Sequence, residues 1–237
     1  METYQEIVRT LALTLGVGWA SGINLYAALL VLGIAGATGD LALPPDLQVL
    51  ASPLVIGAAG LMYAVEFFAD KTPGVDSGWD ALHTFIRIPA GALLAAGAVG
   101  EVTPALEVAA GILGGGLAAT SHATKAGTRL LINTSPEPFS NWTASVAEDV
   151  AVFGGLWAAL NQPWLFISLL VAFLVLVAWL MPKVFRALRK VGGGILRLFG
   201  RRPKPPPTGT PATTSPAGEP PTLTPKTGYE EEPWISR

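Results

Sequence analysis

Residues 163–182 read PWLFISLLVAFLVLVAWLMP, a run without a single charge. A helix needs about 20 apolar residues to cross a hydrocarbon core of ~30 Å, so this run is predicted to span a membrane. Directly after it come Lys183, Arg186, Arg189, Lys190, Arg197, Arg201, Arg202 and Lys204, with no acid among them. Such a basic flank marks the cytoplasmic end of a span. Upstream, Asn161-Gln162-Pro163 punctuates the chain as a turn. Working further back, five more segments qualify or nearly do, at about 7–36, 51–70, 79–100, 104–124 and 142–160. The fold expected is an all-α, polytopic membrane helix bundle of about six spans.

Composition agrees. Of 237 residues, 51% are hydrophobic and 14% charged, where soluble domains carry roughly 25% charged. A net charge of -2 argues against a nucleic-acid partner. The absence of cysteine excludes thiol nucleophiles, thiolate metal sites and iron–sulfur clusters. Glu2 and Glu6 accompany Arg9 ahead of the first apolar stretch, so that stretch reads as a span, not a cleaved leader. It is too long for one upright crossing. Gly16, Gly18, Ser21, Gly22 and Asn24 in its middle point to a strong tilt or to two half-helices broken near 19–24.

Six spans place both termini on one side. The connecting segments at 37–50, 101 and 161 carry no Lys or Arg, whereas those at 71–78 and 122–141 carry Lys71, Lys125 and Arg129. The alternation predicts cytoplasmic termini in an inner membrane. Residues 1–182 form the expected transmembrane domain. Residues 183–202 mix basic and apolar residues, as suits an interfacial helix on anionic lipid of the cytoplasmic leaflet, although Gly192-Gly193-Gly194 argues against continuous helix. Residues 203–237 hold ten of the 20 prolines and read as a disordered tail.

A repeat is also legible. Pro73, Ser77, Trp79 and Ala81 recur as Pro136, Ser140, Trp142 and Ala144 at an offset of 63, and Pro45, Leu47, Val49 and Ala51 recur as Pro104, Leu106, Val108 and Ala110 at an offset of 59. The expectation is two hairpins, about 45–100 and 104–160, related by an axis along the membrane normal. Ser77 and Ser140 are each placed to cap the helix that follows. Across this repeat the charges change sign. Glu66 and Asp70 in the first hairpin align with Lys125 and Arg129 in the second, and Arg87 lies near the depth of Glu148 and Asp149. The 66/70 pair should therefore approach the 125/129 pair. Ionisable groups inside a membrane cost several kcal/mol unless paired or hydrated, which makes them candidate functional residues.

His122, Lys125 and Arg129 share a helical face that suits an anionic group. Asp70, Asp76, Asp80 and His83 offer oxygen ligands and one imidazole to a divalent cation. No phosphate-binding loop, serine elbow or zinc motif is present. The Gly and Ala of 111–119 favour close helix packing, and a homo-oligomer through that face.

Several stretches resemble one family. They are Ala20-Ser21-Gly22-Ile23-Asn24-Leu25-Tyr26, Glu66 through Ser77 with Trp79, Asp80 and His83 to Arg87, Lys125-Ala126-Gly127-Thr128-Arg129, and Asn133 through Asn141. Over about 7–182 the chain resembles the bacterial membrane family called domain of unknown function 4126. The resemblance implies a membrane location and several spans, and carries no activity with it. The function expected from the residues is a transporter or channel-like protein for a small anionic solute or a lipid headgroup. Asn24, Glu66, Asp70, His83, Arg87, His122, Lys125, Arg129, Glu148 and Asp149 are its binding and gating groups, and no cofactor is expected. A membrane-embedded enzyme acting on lipid phosphates and a membrane scaffold are the alternatives.

Overall fold

The computed structural model describes residues 2–72, 74–133 and 138–199. The expected tail at 203–237 lies outside the described residues. The described residues are all-α, with no strand among them. Helix α1 spans Glu2–Thr38, followed by a short 3-10 segment Pro45–Ala51 and by α2 Pro53–Ala69, α3 Val75–Ala98, α4 Pro104–Ile132, α5 Pro138–Asn161 and α6 Pro163–Phe199. Four of these six α-helices open on proline, whose missing N–H has no acceptor to seek in a first helical turn. Ser77 and Ser140 lie inside α3 and α5 and cap neither. Gly74, at φ +85°, starts α3 instead, and Asp76 Oδ1 accepts from its N–H at 2.9 Å. Helix α6 runs unbroken through Pro182 and on through Gly192-Gly193-Gly194.

Among the described residues four helices are long and apolar enough to cross a membrane, or five if the 3-10 segment and α2, bent by 69°, count as one span. At 29 residues α4 has the length. Its glycines and its charged end keep it less apolar than the others.

The molecule is turned inside out relative to a soluble domain. Leu54, Phe85, Leu93 and Ile112 are at least 70% exposed, while Arg87 and Arg129 are fully buried. Only an apolar solvent makes that distribution favourable, because lipid satisfies exposed side chains but not exposed charges. The several apolar helices and this apolar exterior describe a multi-pass membrane protein.

Helix α1 is the centre of the bundle. Ala12, Val17, Ala20, Ala27, Ala28 and Leu32 on it are fully buried, packed among α3, α4 and α5. Small residues set how closely it sits. A Cβ on Gly18 would lie 2.7 Å from Gly114 Cα, and one on Gly22 would overlap Ser121 Oγ and the Ala118 carbonyl. Gly91 and Ala95 of α3 meet Ala118 and Gly114 of α4 in the same way. The Gly114/Ala118 face expected to pair between copies is therefore taken up within one chain, whereas Gly116 faces open space.

Candidate functional site

Of the two expectations for α1, a strong tilt or a break near 19–24, the structure shows the break. Asn24 has non-helical angles (φ −147°, ψ 97°) inside an otherwise continuous helix. Its side chain repairs the damage, since Asn24 Oδ1 accepts from the Ala27 N–H at 2.9 Å. That N–H would otherwise bond the Ile23 carbonyl. The freed Ile23 oxygen accepts instead from Lys125 Nζ at 3.1 Å. One asparagine thus links a backbone break to a buried ammonium on another helix. Asn24 Nδ2 also donates to Asp149 Oδ1 at 3.3 Å.

Around this break lies a charge network with members on α2, α3, α4 and α5. Arg87 pairs with Glu66 at 2.6 Å and with Asp80 at 3.0 Å. Lys125 Nζ has four carboxylates within 4 Å: Asp70 at 2.7 Å, Glu66 at 3.4 Å, Glu148 at 3.6 Å and Asp80 at 3.7 Å. Arg129 grips Glu148 with two parallel bonds, Nε to Oε1 at 3.2 Å and Nη2 to Oε2 at 2.7 Å. This fork is the favoured geometry for guanidinium and carboxylate. Arg129 Nη1 further donates to the Asp70 carbonyl at 2.9 Å.

The sign-swapped groups do meet. The aligned residues Glu66 and Lys125 are 3.4 Å apart, and Asp70 and Arg129 are 3.8 Å apart. The tightest bond of each runs elsewhere, however, to Arg87, Asp70, Lys125 and Glu148 in turn. The network is cross-linked, with no partner exclusive to another.

Both histidines sit at its edge. A carbonyl can only accept, so the 2.9 Å contact of His83 Nδ1 with the Trp79 oxygen assigns the proton to Nδ1. Nε2 then accepts from the Tyr26 hydroxyl at 3.1 Å, and the ring stacks on Trp79 at 4.3 Å. His122 Nδ1 faces Arg87 Nη1, which can only donate, at 3.3 Å. Nε2–H therefore donates to Thr84 Oγ1 at 2.7 Å, and the Thr84 hydroxyl donates to the Asp80 carbonyl. His122 acts as an acceptor toward arginine, not as a third cation beside Lys125 and Arg129.

The divalent-cation set does not assemble. Among the described residues no three His, Asp or Glu side chains gather as metal ligands. Asp76 is occupied locally, accepting from Gly74 N, from Ser77 N and from Asn133 Nδ2 at 2.8 Å. Asp80 faces Arg87, and His83 turns to α1 through Tyr26.

Sequence reasoning missed several participants. Asn133 and Asn141 tie the α4 end to α3 and α5, with Asn141 Nδ2 donating to Asn133 Oδ1 at 3.0 Å. Both stand in the stretch that carries the family resemblance, which was the available signal. Lys71, just past α2, stands in the sequence as a topology marker and within the Glu66–Ser77 stretch. It donates to Ser145 Oγ at 3.1 Å and lies over the Phe67 ring. Burial pushes its ammonium below the usual lysine range, against the pull of Asp149 and Asp70.

Four buried carboxylate oxygens have no partner among the described residues: Glu66 Oε2, Asp70 Oδ1, Asp80 Oδ2 and Asp149 Oδ2. Each belongs to a carboxylate whose other oxygen is bonded. The arrangement can therefore accept protons or exchange partners without being taken apart.

No curated protein matches this chain, and no solved structure does. Residues 11–183 match the family model described as Domain of unknown function (DUF4126). That span includes the break at Asn24, every ion pair of the network and both asparagines of the α4 end, so the chain belongs to this family of uncharacterised domains.

Proposed function

We propose that the chain is a proton-coupled transporter of a small anion or an anionic headgroup in a bacterial inner membrane. In this reading it has six spans, an internal two-hairpin repeat and both termini in the cytoplasm, with the basic end of α6 against anionic lipid. The observation that carries the reading is Lys125. Its ammonium lies at the break of the central helix with four carboxylates within 4 Å, together with a backbone oxygen released by that break. A strut needs one partner. A cation offered four acids of similar distance is a cation whose partner can change.

The chemistry follows from charge. Five carboxylates (Glu66, Asp70, Asp80, Glu148, Asp149) face Arg87, Lys125 and Arg129, with Lys71 beside Asp149. The excess of acid favours shared protons, and the unpartnered oxygens give those protons a place. In the resting protein, internal carboxylates occupy the cations. Protonating one of them releases a cation to an external anion, so uptake of the anion and of a proton become one event. The break at Asn24 is the element able to change conformation with it, because its backbone bonds are already held by side chains.

The experiment is flux into liposomes that hold the purified protein and a trapped pH-sensitive dye. Gradients of phosphate, sulfate, chloride and succinate are imposed in turn. At least one should acidify the lumen faster than in protein-free vesicles, and Lys125→Met in folded protein should abolish that rate. Folded protein giving no anion-dependent proton movement with any of the four overturns the reading.

A further inference from the structure

Asp149, bonded to Asn24, is half-buried, and the ion-paired members of the network are closed to solvent with one exception. Glu148 is the exception: its side chain is 18% exposed, against 4% or less for Glu66, Asp70, Asp80, Arg87, Lys125 and Arg129. It opens onto a cleft of about 330 Å³ between α4 and α5, floored by Lys125 and walled by Trp19, Ile23, Ala147 and Phe173. Trp19, Ala151 and Phe173 also border a second cleft of about 410 Å³, between α5 and α6, lined by Leu165, Phe166 and Leu169. Sharing Trp19, Ala151 and Phe173, the two clefts adjoin and make an apolar path along α5 that has Glu148 and Lys125 at one end.

We infer that this path holds a single-chain alkyl oxyanion, its headgroup replacing Glu148 on Arg129 and Lys125 and its chain lying in the two clefts. The inference rests on the transport reading and narrows its substrate class. Three observations argue for it. Arg129 already grips a carboxylate by a two-bond fork, so an incoming carboxylate or phosphate makes the same bonds. The carboxylate to be displaced is the most exposed of the ion-paired groups. The walls beyond it are apolar and aromatic, which suits a hydrocarbon chain behind the charged headgroup. Alkanoates and alkyl phosphates share this chemistry.

The test uses the full-length protein in detergent with 12-bromododecanoate, whose bromine quenches tryptophan on contact. Quenching should saturate and should be relieved by dodecanoate or by dodecyl phosphate, the stronger of the two naming the headgroup. Dodecyltrimethylammonium should not relieve it. Lengthening the competitor from octanoate to dodecanoate should tighten binding roughly fourfold per methylene. Glu148→Gln removes the internal competitor and should tighten dodecanoate at least tenfold, whereas Arg129→Gln should weaken it. Trp19→Phe should lose part of the saturable quenching, which places the chain in the cleft even if Arg129→Gln does not fold. Quenching that does not saturate, or that the cationic amphiphile relieves equally, overturns the inference. Unchanged affinity in Glu148→Gln overturns it too. Short-anion flux without dodecanoate binding would leave the transport reading standing and sink this one, and saturable binding without any flux would do the reverse.

Discussion

At the scale of the residue, Asn24 couples backbone to charge. Its side chain acts as an N-cap in mid-helix, and replacing a capping side chain by alanine costs about 1 kcal/mol. Asn24→Ala also lets the Ala27 N–H return to the Ile23 carbonyl, which takes an acceptor from Lys125. The expected outcome is a lower melting temperature together with lost flux; a variant that melts lower but transports at the full rate would confine Asn24 to stability. The ion pairs make a sharper case. Breaking a buried pair costs about 3–5 kcal/mol because one charge is left alone. Asp70→Asn and Lys125→Met should each destabilise by that order, and the double variant should recover most of the loss without recovering flux. Thermal denaturation of all three in one detergent measures the coupling, and additive losses would show that the 2.7 Å contact carries none.

Elements show how far the sequence could be read. The lengths of the apolar runs and the prolines between them placed all six long helices, because both signals are local. The break in α1 was legible from its excess length and from Asn24. The central place of α1 was not: it depends on Gly18, Gly22, Gly91 and Gly114 meeting across three helices, and a glycine in sequence does not say which helix it lets approach. For the same reason the charge alignment brought the 66/70 and 125/129 groups together without saying which bond is tightest, since rotamers and helix rotation choose among acids a few ångströms apart. His122 shares a helical face with Lys125 and Arg129, which the sequence shows, while its ring contacts Thr84 and Arg87 on α3, which it does not. Close approach makes Gly22 intolerant. Gly22→Ala should abolish a monodisperse fold in size-exclusion chromatography, whereas Gly116→Ala, which meets nothing within 4 Å, should leave it unchanged.

For the whole molecule, topology is the testable frame. Gly78→Cys should be labelled by an impermeant maleimide only from the cytoplasmic side, and Asp46→Cys and Asn161→Cys only from the outer side. All three positions are exposed, and the chain has no cysteine of its own. Labelling of Gly78→Cys in intact cells would reverse the orientation. Truncation after Arg202 should leave insertion and melting temperature within error of the full chain, because the segment removed is rich in proline and has no apolar period.

The order in which the buried charges leave the ribosome has a consequence for biogenesis. An arginine at the centre of a lone helix costs about 2.5–3.5 kcal/mol to insert. Glu66 precedes Arg87, and Asp70 precedes Lys125, so each of these cations arrives when its counter-charge is already in place. Arg129 is different: Asp70, 3.8 Å away, precedes it, but the carboxylate it holds tightest, Glu148, is made 19 residues later. Helix α4 is thus left waiting for α5, and a nascent chain arrested just after residue 133 should stay beside the translocon, released into lipid only when α5 emerges. Assembly of this membrane domain is then paced by the ion pair that carries the most exposed carboxylate of the folded protein's paired groups.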